Sequence, residues 1–188
     1  EITTRLVGSE MCIRDSYKIY QSLLGNIILT SDGEYLTGLM FENGDEIKSI
    51  KNTLIYKDLP IFNETSRWLD GYFNGDVPSF TPKYRLTNLS SFRKRVLDIT
   101  LEIPYGQTIT YNEIAKRIAE ERKIPKMSAQ AVGGALHVNP IYIIIPCHRV
   151  IGANNALTGY GGGIENEIKL LEIEKNDMSK YSYHKKIK

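Results

Sequence analysis

Thr110-Tyr111-Asn112-Glu113-Ile114-Ala115-Lys116-Arg117-Ile118-Ala119, followed after a polar turn by Ser128-Ala129-Gln130-Ala131-Val132-Gly133-Gly134-Ala135, is the stretch whose reading decides the fold. Thr110 and Glu113 have the spacing of a T-x-x-E capping box, in which each residue satisfies a backbone N–H of the other. Tyr111, Ile114, Ala115, Ile118 and Ala119 then repeat as one face of an amphipathic helix. Pro125 lies in the turn, and Ser128 can cap a second helix from Ala129 to Val138. Two short helices joined by a turn spell a helix-turn-helix.

The second helix is nearly bare. Gly133 and Gly134 each cost about 1 kcal/mol against alanine in a helix interior. Two arrangements can offset that cost: close packing against another helix, or close approach of the backbone to a ligand. A dressed helix is roughly 10–12 Å across, whereas a DNA minor groove is about 6 Å wide. Only a stripped helix presses into such a groove without large distortion.

Downstream, Asn139-Pro140 ends the helix, and Ile141 to Ile145 reads as an extended, buried run between two prolines. It leads into Pro146-Cys147-His148-Arg149-Val150, the densest chemistry in the chain. A free thiol ionises near pH ~8.5, so nucleophilic attack requires a base or a positive neighbour. In an extended segment consecutive side chains point to opposite sides, which makes a direct Cys147–His148 bond awkward and a bridging water or a turn the better link. An imidazole base also wants a carboxylate behind it. Glu172 and Glu174, on a last helix over about 164–175, are both candidates, and the residues alone do not choose. The bland reading stands beside this one: a buried structural thiol, a structural histidine and an arginine in a salt bridge. The loop holding Asn154-Asn155 and Gly159 to Gly163 precedes the last helix, whose Ile164, Ile168 and Leu171 share a face. The tail after Asn176 is expected to be disordered.

Upstream, Ser90 or Ser91 caps a helix over about 92–102, with Phe92, Val96, Ile99 and Ile103 on one stripe, broken by Pro104-Tyr105-Gly106. Residues 76–91 have no clear period and read as a connector, with a boundary near residue 88. Tyr17–Leu23, Ile27–Thr30 and Tyr35–Phe41 read as an antiparallel meander, and Asn43-Gly44-Asp45 as a turn. Pro60 opens a helix over Ile61 to Phe73 that buries Ile61, Thr65, Trp68, Leu69 and Tyr72 and stops at Gly75. The reading is an α+β chain: an N-terminal α/β domain over 17–88, a helical domain over 89–177 and a basic tail over 178–188.

The chain has 188 residues, 41% hydrophobic and 24% charged, as in a soluble globular protein. No apolar run approaches the roughly 18–20 residues of a membrane span, no signal peptide is visible, and a cytoplasmic setting is expected. Residues 1–16 look like the translation of a sequencing-library adapter and are set aside as non-native. Of two cysteines, Cys12 falls in that segment, leaving Cys147 with no partner for a disulfide or a thiolate metal site. Residues 17–88 carry 7 basic and 9 acidic side chains, and residues 89–188 carry 15 and 10. That bias suits a polyanionic partner, although lysines of the tail supply much of it.

Ile145-Pro146-Cys147-His148-Arg149-Val150 resembles the active-site signature of the O6-alkylguanine-DNA alkyltransferases. Ile103 to Thr108 through Tyr111, Ala131 to Ala135, Asn139-Pro140, Gly159-Tyr160 and Leu170-Leu171 with Glu174 are similar to that family in order and spacing. The likeness is strong over roughly residues 90–175, and over 17–88 it is one of pattern. It implies a ribonuclease H-like N-terminal domain and a winged-helix-like C-terminal domain. It implies suicidal repair of duplex DNA, with transfer of an alkyl group from O6 of a flipped-out guanine (O4 of thymine is a further target left open) to the protein, without cofactor or metal, by a monomer. By position, Cys147 would be the acceptor, His148 its base through a water, Glu174 the residue orienting His148, Tyr111 the proton donor to guanine, and Asn139 the hinge. Ala129, Gln130, Ala131, Gly133, Gly134 and Arg149 would meet DNA. Val150, Tyr160 and Gly161 would surround the base. Two positions depart from the family: Gln130 replaces the arginine that fills the vacated stack, and Glu167 stands where a lysine is expected. Two other classes compete with repair: a helix-turn-helix regulator sensing alkylation through Cys147, and a cysteine hydrolase.

Overall fold

Residues 15–44 and 54–183 are described in the computed structural model. Residues 1–14, Asp45 of the expected turn, and the end of the tail from His184 lie outside them. Asp15 and Ser16, grouped above with the adapter-like segment, belong to the sheet: Ser16 opens the first strand, and the Asp15 carboxylate accepts from Thr37 Oγ1 at 2.9 Å.

Three strands form the expected meander: β1 (Ser16–Ser22), β2 (Gly25–Ser31) and β3 (Leu36–Phe41). Gly25, at φ +96°, makes the tight first turn in a region few other residues enter. A short β4 (Ile55–Tyr56), absent from the sequence reading, pairs in parallel with β1 and gives the order β3-β2-β1-β4. Period-two alternation sorts the side chains. Ile27, Leu29, Leu39 and Phe41 face the main core, while Ile28 and Met40 pack under Tyr17 on the other face. Helix α1 (Pro60–Phe73) starts with proline at its first turn and buries Ile61, Phe62, Thr65, Trp68, Leu69 and Tyr72 against that core. Gly75 follows it at φ +84°.

In the second half, Ser90 caps α2 (Ser91–Leu101), accepting from Arg93 N. Both arms of the Thr110–Glu113 capping box are present at the start of α3 (Tyr111–Arg122), and Ser128 caps α4 (Ala129–His137). These three helices pack on one another. A two-stranded parallel sheet of β5 (Ile109–Thr110) and β6 (Val150–Ile151) ties the start of α3 to the segment just after Cys147. The last helix is α5 (Ile164–Ile173).

Two expectations are corrected. Ile141 to Ile145 is buried as expected but is not extended. After one bridge between Leu39 and Ile141, the chain folds on itself, with Ile143 at φ +68° and bonds from Ile144 N to Tyr142 O and from Ile145 N to Ile141 O. A buried segment flanked by prolines and lacking a neighbouring strand satisfies its own backbone groups locally. The tail is ordered as far as it is described. Met178–Lys180 forms a 3-10 turn, Ser182 pairs with Ala156, and the Tyr181 hydroxyl donates to Asn176 Oδ1 at 3.0 Å.

The two halves share one hydrophobic core. Phe41 packs on Tyr142 and Tyr160, while Leu39 exchanges backbone bonds with Pro140 and Tyr142 at 2.8 Å each. The sheet of the first half therefore holds the segment that leads into Cys147. No helix among the described residues is long and apolar enough to cross a membrane.

Candidate active site

Cys147, His148 and Arg149 form a 3-10 turn, the arrangement expected as the alternative to a bridging water. The tight turn buries both Cys147 and His148, and the His148 backbone N–H reaches the sulfur, yet among the described residues no hydrogen bond joins the thiol to the imidazole. Asn139 Nδ2 instead donates to Cys147 Sγ at 3.1 Å and to Ile145 O at 3.1 Å, while its Oδ1 accepts from Ile141 N. The residue expected as a hinge at the end of α4 thus touches the sulfur itself.

Glu174 is the carboxylate behind His148, at 2.8 Å from Nε2. Glu172 is exposed on the opposite side of α5. The two oxygens of Glu174 also accept from the Tyr72 hydroxyl at 2.7 Å, from Arg149 Nε and Nη2 at 2.9 and 2.8 Å, and from Gly106 N at 3.2 Å. Burial alone would raise the Glu174 pKa, but the bonds and charges of His148 and Arg149 outweigh it and hold the carboxyl at about 2. Burial pushes His148 the other way, below its ordinary value, against the pull of Glu174. The imidazole is therefore neutral, with its one proton on Nε2 facing Glu174. That leaves Nδ1 as a bare acceptor, buried and with no partner among the described residues. Burial also drives the Cys147 thiol up to about 12, more than the Asn139 bond lowers it. At rest the site holds a thiol, a neutral base with a free lone pair, and an ionised carboxylate that can stabilise a protonated imidazole.

Arg149, expected to meet DNA, is turned inward. Its guanidinium holds Glu174, donates to Ile103 O at 2.7 Å and lies over the Tyr105 ring. Tyr72, on α1 of the first half, was missed by sequence reasoning. A phenol on an otherwise apolar buried stripe must find a partner for its hydroxyl, and that was the available signal.

Beside this site lies an open cleft of about 510 Å³, lined by Tyr111, Ala129, Gln130, Gly133, Gly134, His137, Thr158 and Gly159. The bare face of α4 is its wall. Gln130, Ala131 and Gly134 are exposed. A Cβ at Gly134 would meet nothing within 4 Å, and one at Gly133 only the Tyr111 ring at 3.8 Å. The glycines are thus not explained by packing against another helix. Tyr111, where α3 begins, lines the cleft and lies within electrostatic reach of Cys147, and burial raises its phenol to about 12. The Tyr160 hydroxyl is buried without a partner among the described residues, and its ring stands edge-on to His148. Val150 is fully buried in β6. Gly161 sits where a Cβ would come within 2.6 Å of the Tyr142 hydroxyl.

Comparison with known proteins matches both halves. Residues 16–83 fit the family model of the 6-O-methylguanine DNA methyltransferase ribonuclease-like domain, and residues 91–176 that of the 6-O-methylguanine DNA methyltransferase DNA binding domain. A methylated-DNA–protein-cysteine methyltransferase of Methanosarcina acetivorans is 42% identical over 84% of this chain and 97% of its own length. One of Haemophilus influenzae is 37% identical over 85% and 86%. The crystal structure of Mycobacterium tuberculosis OGT in complex with DNA superposes with a TM-score of 0.73 at 37% identity, covering 88% of this chain and 94% of that one.

Proposed function

The chain belongs to the 6-O-methylguanine DNA methyltransferase family, and on that premise we propose that Cys147 is the alkyl acceptor, served by His148, Glu174 and Tyr111. The protein is a methylated-DNA–protein-cysteine methyltransferase. It repairs duplex DNA by direct reversal, moving an alkyl group from O6 of guanine onto one of its own cysteines and ending as a spent protein. The observation that carries the assignment of residues is the His148 Nδ1, buried with no partner among the described residues, in the residue next to Cys147 and with Glu174 on the opposite ring nitrogen.

The thiol passes its proton through a bridging water to Nδ1, and Glu174 stabilises the imidazolium that results. Cys147 Sγ attacks the alkyl carbon. The S–C bond forms as the C–O6 bond breaks, and the electron pair goes to the guanine ring. Tyr111 gives that ring its proton and recovers one from the proton released by the thiol. Asn139 holds Sγ in line and couples α4 to the turn. Tyr72 steadies Glu174 from the first half of the chain.

Ala129, Ala131, Gly133 and Gly134 form the face that lies against the DNA backbone, and Gln130 enters the stack that the flipped base leaves. Main-chain groups of Cys147, Val150 and Gly161, with Tyr160, receive the base. Residues 17–88 act as support, and residues 89–177 carry the DNA face and the acceptor.

Duplex DNA carrying labelled O6-methylguanine tests the assignment. One equivalent of label is expected on Cys147, and none on the Cys147→Ala variant. Equal labelling of both proteins, or turnover beyond one equivalent, would overturn it.

A further inference from the structure

Three side chains converge on one oxygen of Glu174. Its Oε1 accepts from His148 Nε2 at 2.8 Å, from Arg149 Nη2 at 2.8 Å and from the Tyr72 hydroxyl at 2.7 Å. Two of these donors belong to the active-site turn. The third belongs to α1, 102 residues from Glu174 in the chain. Tyr72 is 1% exposed. Its ring stacks on Trp68 with centroids 5.5 Å apart and stands edge-on to His148 at 6.5 Å, so packed rings deliver the hydroxyl to the site. The same hydroxyl oxygen lies 3.3 Å from His148 Nε2.

A carboxylate only accepts hydrogen bonds, so Tyr72 is the donor. Burial and the charge of Glu174 raise its phenol well above the ordinary value, and it keeps its proton. The effect of donors on a buried carboxylate is visible along α5 itself. Glu167, its other buried carboxyl, is 2% exposed, has an Oε2 without a hydrogen-bond partner among the described residues, and is raised by burial to about 8. Glu174, bonded by His148 and Arg149, is held at about 2 against the same kind of burial. Donors to one oxygen draw on the same negative charge. The hold of Glu174 on a protonated His148 is therefore weaker with Tyr72 in place than without it. The other groups that bear on the imidazole are Arg149, whose charge opposes protonation, the Cys147 thiol in the same turn, and Tyr160, edge-on in the loop before α5.

We propose that Tyr72 is a positioning residue of the alkyl transfer: by donating to the Glu174 oxygen that His148 also uses, it limits the pull of that carboxylate on the imidazole and keeps His148 an uncharged base, ready for the thiol proton. The first half of the chain then sets the protonation of the site as well as supporting its fold. The inference rests on His148 being the base for Cys147.

Tyr72→Phe removes the donor and keeps the ring, and Tyr72→Leu removes it in a different shape. The chain has three histidines. A background carrying His137→Gln and His184→Gln leaves His148 as the sole imidazole for nitrogen NMR, recorded without DNA from pH 4.5 to 8 with the folded state monitored. Each folded Tyr72 variant is expected to bind the His148 proton about threefold more tightly, a midpoint about half a unit higher. The acid limb of single-turnover methyl transfer from duplex DNA should move to higher pH by the same amount. A His148 that takes its proton at no higher pH in the variants than with Tyr72 in place overturns the proposal, and so does one that takes none while folded. A transfer rate lowered equally at every pH, with the midpoint unmoved, shows a merely structural tyrosine and also overturns it. Wild-type protein that labels Cys147 at no pH refutes the acceptor assignment instead. The midpoint measured without DNA still reads the effect of Tyr72 on His148, which separates the two failures.

Discussion

At the residue scale, Glu174 is the point on which the site turns. It joins the base His148, the inward Arg149 and Tyr72 of the other half. Its depressed pKa is a statement about stability as well as catalysis. The folded carboxyl, at about 2, lies below its unfolded value, so its contribution is fully present above the unfolded pKa and is lost as pH falls through about 2. Replacing it leaves Arg149 buried without its partner, and breaking such a pair costs about 3–5 kcal/mol. Glu174→Gln is therefore expected to lose about that much in urea unfolding at neutral pH, with a smaller difference from wild type in strong acid. It should also slow single-turnover transfer by about 10²-fold, the lower range for impaired base catalysis. Wild-type stability at pH 7 would contradict the pairing described. Sequence alone left Glu172 and Glu174 open because both lie at the end of one short helix; which one faces His148 depends on how α5 is rotated against the turn.

At the element scale, α4 is built against its own stability. Its glycines border a cleft, and neither is needed for packing: a Cβ at Gly134 would meet nothing, and one at Gly133 would only touch the Tyr111 ring at ordinary contact distance. Gly134 has room for a methyl group and lies in ordinary helical backbone, so Gly134→Ala should stabilise the free protein by about 0.5–1 kcal/mol. The same methyl should weaken binding to duplex DNA, read by fluorescence anisotropy at fixed salt. Stabilisation without weaker binding would mean that this face does not meet DNA. The elements with local signals were legible in the sequence: the capping box of α3, the Ser128 cap, the three strands, and the proline start of α1. The segment from Ile141 to Ile145, by contrast, reads as extended and is not. Its five apolar residues have the composition of a buried strand, and nothing local announces that no strand lies alongside to pair with it.

At the scale of the whole molecule, the first half supports the chemistry of the second. Phe41 on β3 packs against Tyr142 and Tyr160, with ring centroids 6.0 and 6.4 Å away. Phe41→Ala should cost about 3–5 kcal/mol of stability and should also lower the transfer rate, because Tyr160 loses its backing next to His148. A stability loss with an unchanged rate at saturating DNA would mean that the sheet serves folding alone. The sequence by itself determined the elements, the thiol and its neighbours, and the bareness of one helix, because caps, periodicity and composition act over a few residues. Only the tertiary structure decided that Asn139 reaches Sγ, that Arg149 faces inward, that Tyr72 joins the site from 76 residues away, and that the two carboxyls of α5 meet opposite environments. Those outcomes depend on desolvation and on contacts between segments distant in the chain, and neither is a property of any stretch taken alone.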